Sequence, residues 1–162
     1  MISDPYTAYI LDRQPASLDA ALVLFDERSK GPDASSPHVV QHEWLERHLC
    51  WNEKRKGLLA GFDGFLAETQ RFAITVEAAL IGGSFVSRKD EPKDIDFLAV
   101  YTTLPGFDPE ALSEFVVAKR PGLDWRFIPS DAGVLPLLKI SMFCHLLYEG
   151  RKGGEGSLLL VL

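Results

Sequence analysis

The sequence predicts a mixed α+β domain, and three observations predict it. Two short apolar runs of strand length, Ala78 to Ile81 and Phe97 to Tyr101, flank a Gly pair and a charged, Pro-bearing turn, the pattern of a hairpin-like unit. Two further runs of strand type, Leu123 to Ile128 and Leu158 to Leu162, follow. Around them lie stretches whose apolar residues recur every three or four positions, as in helices that lay one face on a sheet.

Composition bounds the rest. A chain of 162 residues, 46% hydrophobic and 25% charged, has the length of one domain with a real core. Its net charge of −6 argues against a protein whose affinity comes mainly from nucleic-acid backbones. A nucleotide held by a metal ion and backbone N–H groups stays compatible with that charge. No apolar run approaches the roughly 18 residues of a membrane span, and the N-terminus has no basic segment followed by an apolar one. A cytoplasmic location with no membrane partner is therefore expected. Cys50 and Cys144 form no zinc or redox pattern and read as buried or incidental thiols.

Residues 1–37 read as an N-terminal arm with one short helix, in which Ser17 caps a run through Leu18, Ala21, Leu22 and Phe25. Ser29 to Pro37, with Gly31 and Pro32, is a loop by composition. Residues 38–162 form the main unit. A short helix is expected from Val39 to Leu49, with Trp44, Leu45 and His48 at helical spacing. His38 and His42 are four apart and could share a helix face, but Pro37 favours a helix start there over a metal site. Asn52 is an N-cap, and Glu53 in the first turn suits the helix dipole. The helix that follows aligns Leu58, Leu59, Phe62, Phe65, Leu66, Thr69 and Phe72 along one stripe, opposite Lys54, Lys56, Asp63, Glu68 and Arg71.

After the central unit, Pro109 sits well for the first turn of a helix through Ala111, Leu112, Phe115, Val116 and Ala118, stopped by Pro121 and Gly122. In the strand from Leu123, Asp124 and Arg126 share one face, and Trp125 and Phe127 the other. Val134 to Tyr148 is apolar throughout and compatible with helix, strand or both. Gly150 to Gly156 is a glycine-rich turn, and it lacks the GxxxxGK[ST] pattern of a phosphate loop.

The chemistry is concentrated at the mouth of the hairpin. Gly82 and Gly83 let the backbone bend sharply and approach a ligand, and Ser84 adds a hydroxyl and an N–H. After nine intervening residues, Asp94 and Asp96 flank Ile95, so in a strand both carboxylates project to one side. Two like charges that close are useful where a divalent cation neutralises both, and magnesium prefers such hard oxygens together with substrate phosphates. A Gly-Ser cradle beside a carboxylate clamp is what phosphoryl or nucleotidyl transfer requires.

Gly83-Ser84, nine residues, then Asp94-Ile95-Asp96 resembles the signature of the DNA polymerase β-like nucleotidyltransferase superfamily. The longer string GGSFVSRKDEPKDIDFLAVY is similar to a small, little-characterised prokaryotic family of that fold. The resemblance implies a nucleotidyltransferase-like mixed sheet with helices mainly on one face, preceded by N-terminal helices. It also implies Mg2+ or Mn2+ on Asp94 and Asp96, and phosphates held at Gly82, Gly83 and Ser84. Arg88 and Lys93, in the turn, would offset triphosphate charge; the alternative is a solvated turn whose charges balance one another. The superfamily's third carboxylate comes from a later strand. Asp124 fits that place best, where the resemblance implies that it completes a second metal site and helps deprotonate the acceptor hydroxyl, against a simple surface pairing with Arg126, and Asp131 is the second candidate.

The implied reaction moves a nucleoside monophosphate from a nucleoside triphosphate to an unknown hydroxyl acceptor, protein or RNA, in a toxin–antitoxin or defence setting. Two departures count against it. Val86-Ser87-Arg88-Lys89 lacks the small residue, Arg and Gly that often follow the Gly-Ser pair, and no appended helical domain fits after Ile128. The alternatives are a weak or inactive binding module of the same fold, working with a protein partner or a second copy, and an unrelated domain carrying a chance motif.

Overall fold

The computed structural model describes residues 37–149 and 157–162. The helix expected after Ser17, most of the Ser29–Pro37 loop and the Gly150–Gly156 turn lie outside them. Two nine-residue strands, β2 (Ile74–Gly82) and β3 (Ile95–Thr103), pair antiparallel as the hairpin-like pattern requires. Their register runs from Ile74 opposite Thr103 to Gly82 opposite Asp96, with an irregularity between Val76 and Ala78. Both extend beyond the apolar runs that announce them, because pairing recruits the polar residues at their ends.

Three more strands complete a mixed sheet. β4 (Leu123–Pro129) lies parallel to β3, β5 (Leu158–Val161) antiparallel to β2, and β1 (His38–Val40) parallel to β5, giving the order β1-β5-β2-β3-β4. Four α-helices accompany it among the described residues: α1 (His42–Leu49), α2 (Glu53–Thr69), α3 (Pro109–Val117) and α4 (Val134–Glu149). The class is mixed α+β, and the strand at Leu158 is interior to the sheet, which is why Leu158 and Leu160 are wholly buried.

One expectation is corrected. The helix read from Val39 starts three residues later. Val39 and Val40 instead pair with Leu159 and Leu160, and Gln41, in extended conformation, turns the chain into α1. β-branched residues beside an open strand edge are better placed in the ladder than in a helix turn. His38 and His42 therefore share no helix face. His42 is engaged elsewhere, its Nε2 lying 2.7 Å from an Asp63 carboxylate oxygen on α2.

Asn52 caps α2 as read, and Asp108, which the sequence places in a turn, caps α3. The Asn52 side chain accepts from Arg55 N–H at 2.9 Å, and Asp108 accepts from the N–H groups of Glu110 and Ala111 ahead of Pro109 in the first turn of α3. α2 buries Leu58, Leu59, Phe62 and Phe65 against one face of the sheet. The rings of Phe62 and Phe65 meet Phe97 edge-on at 4.9 and 5.4 Å, and Phe65 also packs on Trp125. α1 and α3 join this cluster, while α4 covers the other face, where Leu80, Leu98, Ile128 and Cys144 form a smaller one. The segment left open between helix and strand is thus helix, and its length decides the matter. Among the described residues no helix is long and apolar enough to cross a membrane.

Candidate functional site

Strand register gathers the acidic residues. Gly82 on β2 stands opposite Asp96 on β3, and Asp96 stands beside Asp124 on β4, one row across three strands at one end of the sheet. Phe97 and Ala99 belong to the α2 side and Leu98 to the α4 side, so Asp96 faces the α4 side, beyond the apolar patch. Asp124 shares that face, with Arg126 and Ile128 following at alternate positions.

The bend after β2 is built around the Asp96 carboxylate. Gly83 takes φ +68, a conformation that L side chains rarely adopt, and a Cβ there would overlap Asp96 Oδ2 and stand 2.9 Å from its Cγ. Glycine is required twice, once for the turn and once for the contact. Gly83–Val86 then forms a single 3₁₀ turn that leaves Ser84 half-buried while Phe85 and Val86 plug into the core. Asp96 is buried, Asp94 half-buried just ahead of β3, and Asp124 exposed. The Ile95 N–H donates to Gly122 O at 2.9 Å, which ties the start of β3 to the turn before β4.

Asp124 carries both of its alternative properties at once. It is in register beside Asp96, and it accepts from Arg126 Nη1 at 2.7 Å. Asp131 is excluded as the third carboxylate, since it lies in the turn after β4, at the end of the sheet remote from Asp96. An open groove between α3 and β4, lined by Lys119, Arg120, Leu123 and Trp125, reaches Asp124.

Arg55 is the residue the sequence hid. It lies fully buried on the apolar stripe of α2, and its guanidinium donates to five carbonyl oxygens: Leu49, Ser84, Phe85, Ser87 and Lys89. Its carbon sits 3.7 Å over the Trp51 ring. Burial pulls its pKa down to about 10, opposed by the nearby Cys50 and Asp90, and it stays charged at neutral pH. One cation thus fixes the whole loop after Ser84 from beneath. The signal was its spacing, three and four residues before Leu58 and Leu59 and seven before Phe62, in a position where an exposed Arg does not belong.

The charged turn is pinned from its other side as well. Trp51 Nε1 donates to the Asp90 carboxylate at 3.2 Å and Asn52 Nδ2 to Asp90 O at 2.7 Å. Ser87, buried, donates its hydroxyl to Ser84 O at 2.8 Å and accepts from Lys89 N–H. Arg88 and Lys93 are exposed on this fixed frame.

Among the described residues no group of three His, Cys, Asp or Glu side chains forms a metal cage. Asp96 lies at the bend, while Asp94 precedes β3, so strand alternation does not set its carboxylate on the side of Asp96; both are hard oxygen donors.

No curated protein and no solved structure matches the chain. A profile of a family of unknown function, DUF6932, matches residues 18–145, which takes in the bend, the Asp pair and Asp124 together. The chain belongs to that family.

Proposed function

We propose that this chain is a nucleotidyltransferase-like protein that binds a nucleoside triphosphate at the Gly83–Ser84 bend and transfers its nucleoside monophosphate to a hydroxyl acceptor. The observation that carries the reading is the contact of Asp96 with Gly83, which sets a carboxylate against a glycine bend that continues into Ser84. The N–H groups after Gly82 and the Ser84 hydroxyl would bind phosphate oxygens as a backbone nest does. Asp94 and Asp96 would hold magnesium, which when bound neutralises phosphate charge and stabilises the departing pyrophosphate. Arg88 and Lys93 add positive charge from the turn.

In this reading Asp124 takes the proton of the acceptor hydroxyl. The acceptor oxygen bonds to the α-phosphorus as the bond to the pyrophosphate oxygen breaks. Asp124 must first leave Arg126. That pair is exposed, and exposed pairs are generally worth less than about 1 kcal/mol, so the exchange is easy. The groove between α3 and β4 gives an acceptor access to Asp124.

The same pair favours a second reading, in which Arg126 keeps Asp124 neutralised and the protein binds nucleotide without turning it over. Labelled triphosphates incubated with the protein and magnesium distinguish the two. Transfer to an acceptor that disappears in Asp96→Ala supports the enzyme. Magnesium-dependent calorimetric binding without transfer supports the binding module, and no response to any of the four ribonucleoside triphosphates rejects both.

A further inference from the structure

Trp51 is exposed and yet held fast. It shows 45% of its surface to solvent, while its Nε1 donates to the Asp90 carboxylate at 3.2 Å and one face of its ring lies 3.7 Å from the guanidinium carbon of Arg55. Asn52, the next residue, bonds Asp90 O as well, so the indole and the charged turn form one frame. Shielding the buried Arg55 uses one face of the ring and does not account for the exposure of the rest, because tryptophan is highly buried on average. An aromatic ring fixed in the surface is what a stacking platform needs, since no further ordering of the side chain is required when a ligand arrives.

The geometry points to Trp51 as the platform on which the base of the bound nucleotide stacks, an inference that rests on the Gly83–Ser84 bend being the phosphate site. Arg55 measures the reach. Its guanidinium lies against the ring and also donates to Ser84 O, at 3.4 Å from Nη2, so the ring centre stands within about 9 Å of that oxygen. A ribose with its phosphates bridges such a gap. The turn that Trp51 grips through Asp90 also carries Arg88 and Lys93, the exposed cations assigned to the triphosphate. Base and phosphates are thus held by two parts of one rigid frame.

Stacking reads no donor or acceptor pattern, and every base has a face to offer, so discrimination follows ring size and not base edge. The ligand class is purine nucleoside triphosphate in preference to pyrimidine.

The test is calorimetry on the full chain at saturating magnesium with ATP, CTP and inorganic tripolyphosphate, which has the phosphates and no base. The unaltered protein is expected to bind ATP roughly tenfold more tightly than tripolyphosphate, the effect of one stacked base, with CTP between them. Trp51→Leu keeps an apolar cover over Arg55; it should remove most of that difference and leave tripolyphosphate affinity within about twofold, whereas Trp51→Phe should keep most of the difference. Equal affinity of the unaltered protein for ATP and tripolyphosphate would overturn the inference and leave the phosphate site standing. Failure of all three to bind would overturn both. Equal losses for ATP and tripolyphosphate in Trp51→Leu would reduce the ring to a cover for Arg55. A second measurement needs no variant: photolabelling of the unaltered chain with azido-ATP is expected to place the adduct in the peptide that contains Trp51, and adducts confined to other peptides would overturn the inference whether or not the variants fold.

Discussion

Gly83 and Asp96 contend for one volume: the carboxylate of Asp96 fills the space in which any other side chain at position 83 would begin. The turn and the acid are therefore a single unit. Gly83→Ala must move Asp96, and it must hold a left-handed backbone that costs about 1–2 kcal/mol for an L residue. A melting temperature several degrees lower is expected, together with loss of any magnesium-dependent nucleotide response. Ser84→Ala, which keeps the backbone, should retain the wild-type melting temperature in the same scan while weakening nucleotide binding in calorimetry.

Arg55 makes the second prediction. Arg55→Met removes the donor from five carbonyl oxygens and leaves the buried ones among them unmatched, at about 1–3 kcal/mol for an unsatisfied buried group. Urea denaturation should show a loss of about 3–5 kcal/mol, the range for removing one partner of a buried charged network. Lysine has neither the planar fork nor enough donors, so Arg55→Lys should recover less than half of it. Full recovery would mean that the charge alone, and not the fork, holds the loop.

Asp96 and Asp124 separate binding from turnover. Asp96→Asn should abolish magnesium-dependent triphosphate binding, because the amide cannot serve as an anionic ligand. Asp124→Asn should leave that binding within about twofold and remove transfer, the pattern of a group needed only at the reacting centre. Arg126→Ala releases Asp124 and should raise transfer or leave it unchanged. A fall in transfer with Arg126→Ala, measured on labelled triphosphate, would assign the arginine and not the acid to the reaction.

The fourth prediction concerns pH. Burial, helped by Arg47, holds the His48 imidazole below its ordinary value of 6.5, and its buried Nε2 has no hydrogen-bond partner among the described residues. The unfolded chain then binds that proton more readily than the folded one. The stabilisation is present above about pH 6.5 and lost as pH falls from there toward the lowered folded value. His48→Gln should flatten this part of the stability curve, as read from melting temperatures between pH 7.5 and 5. An unchanged slope would place the acid sensitivity elsewhere.

The hairpin, the Asn52 cap and the stripe of α2 were legible because each depends on residues near in sequence. Asn52 and Pro109 announce their helices, and a period of two or of three to four announces the faces. β1 was not legible. Three residues have no period to speak of, and the partners of Val39 and Val40 lie near the other end of the chain. The interior place of β5 was hidden for the same reason, since four apolar residues carry no mark of how many neighbours they will have. α4 resisted assignment because both of its sides are apolar, which erases the moment that distinguishes a helix. At the candidate site, the Gly-Ser bend and the Asp pair stood out by residue type, and the register supplied the position of Asp124. Arg55 escaped because polar residues on a helix are ordinarily read as its wet side.

The position of β5 has a consequence for how the protein is made. It lies between β1 and β2, so the earliest of the described strands to leave the ribosome has no neighbour to bond until residues 158–161 emerge. Vectorial synthesis cannot finish this sheet piece by piece. Until translation nears Val161, the edge of β2 stays open to intruding strands, and ribosomes stalled short of that point would release a chain primed to pair with its siblings.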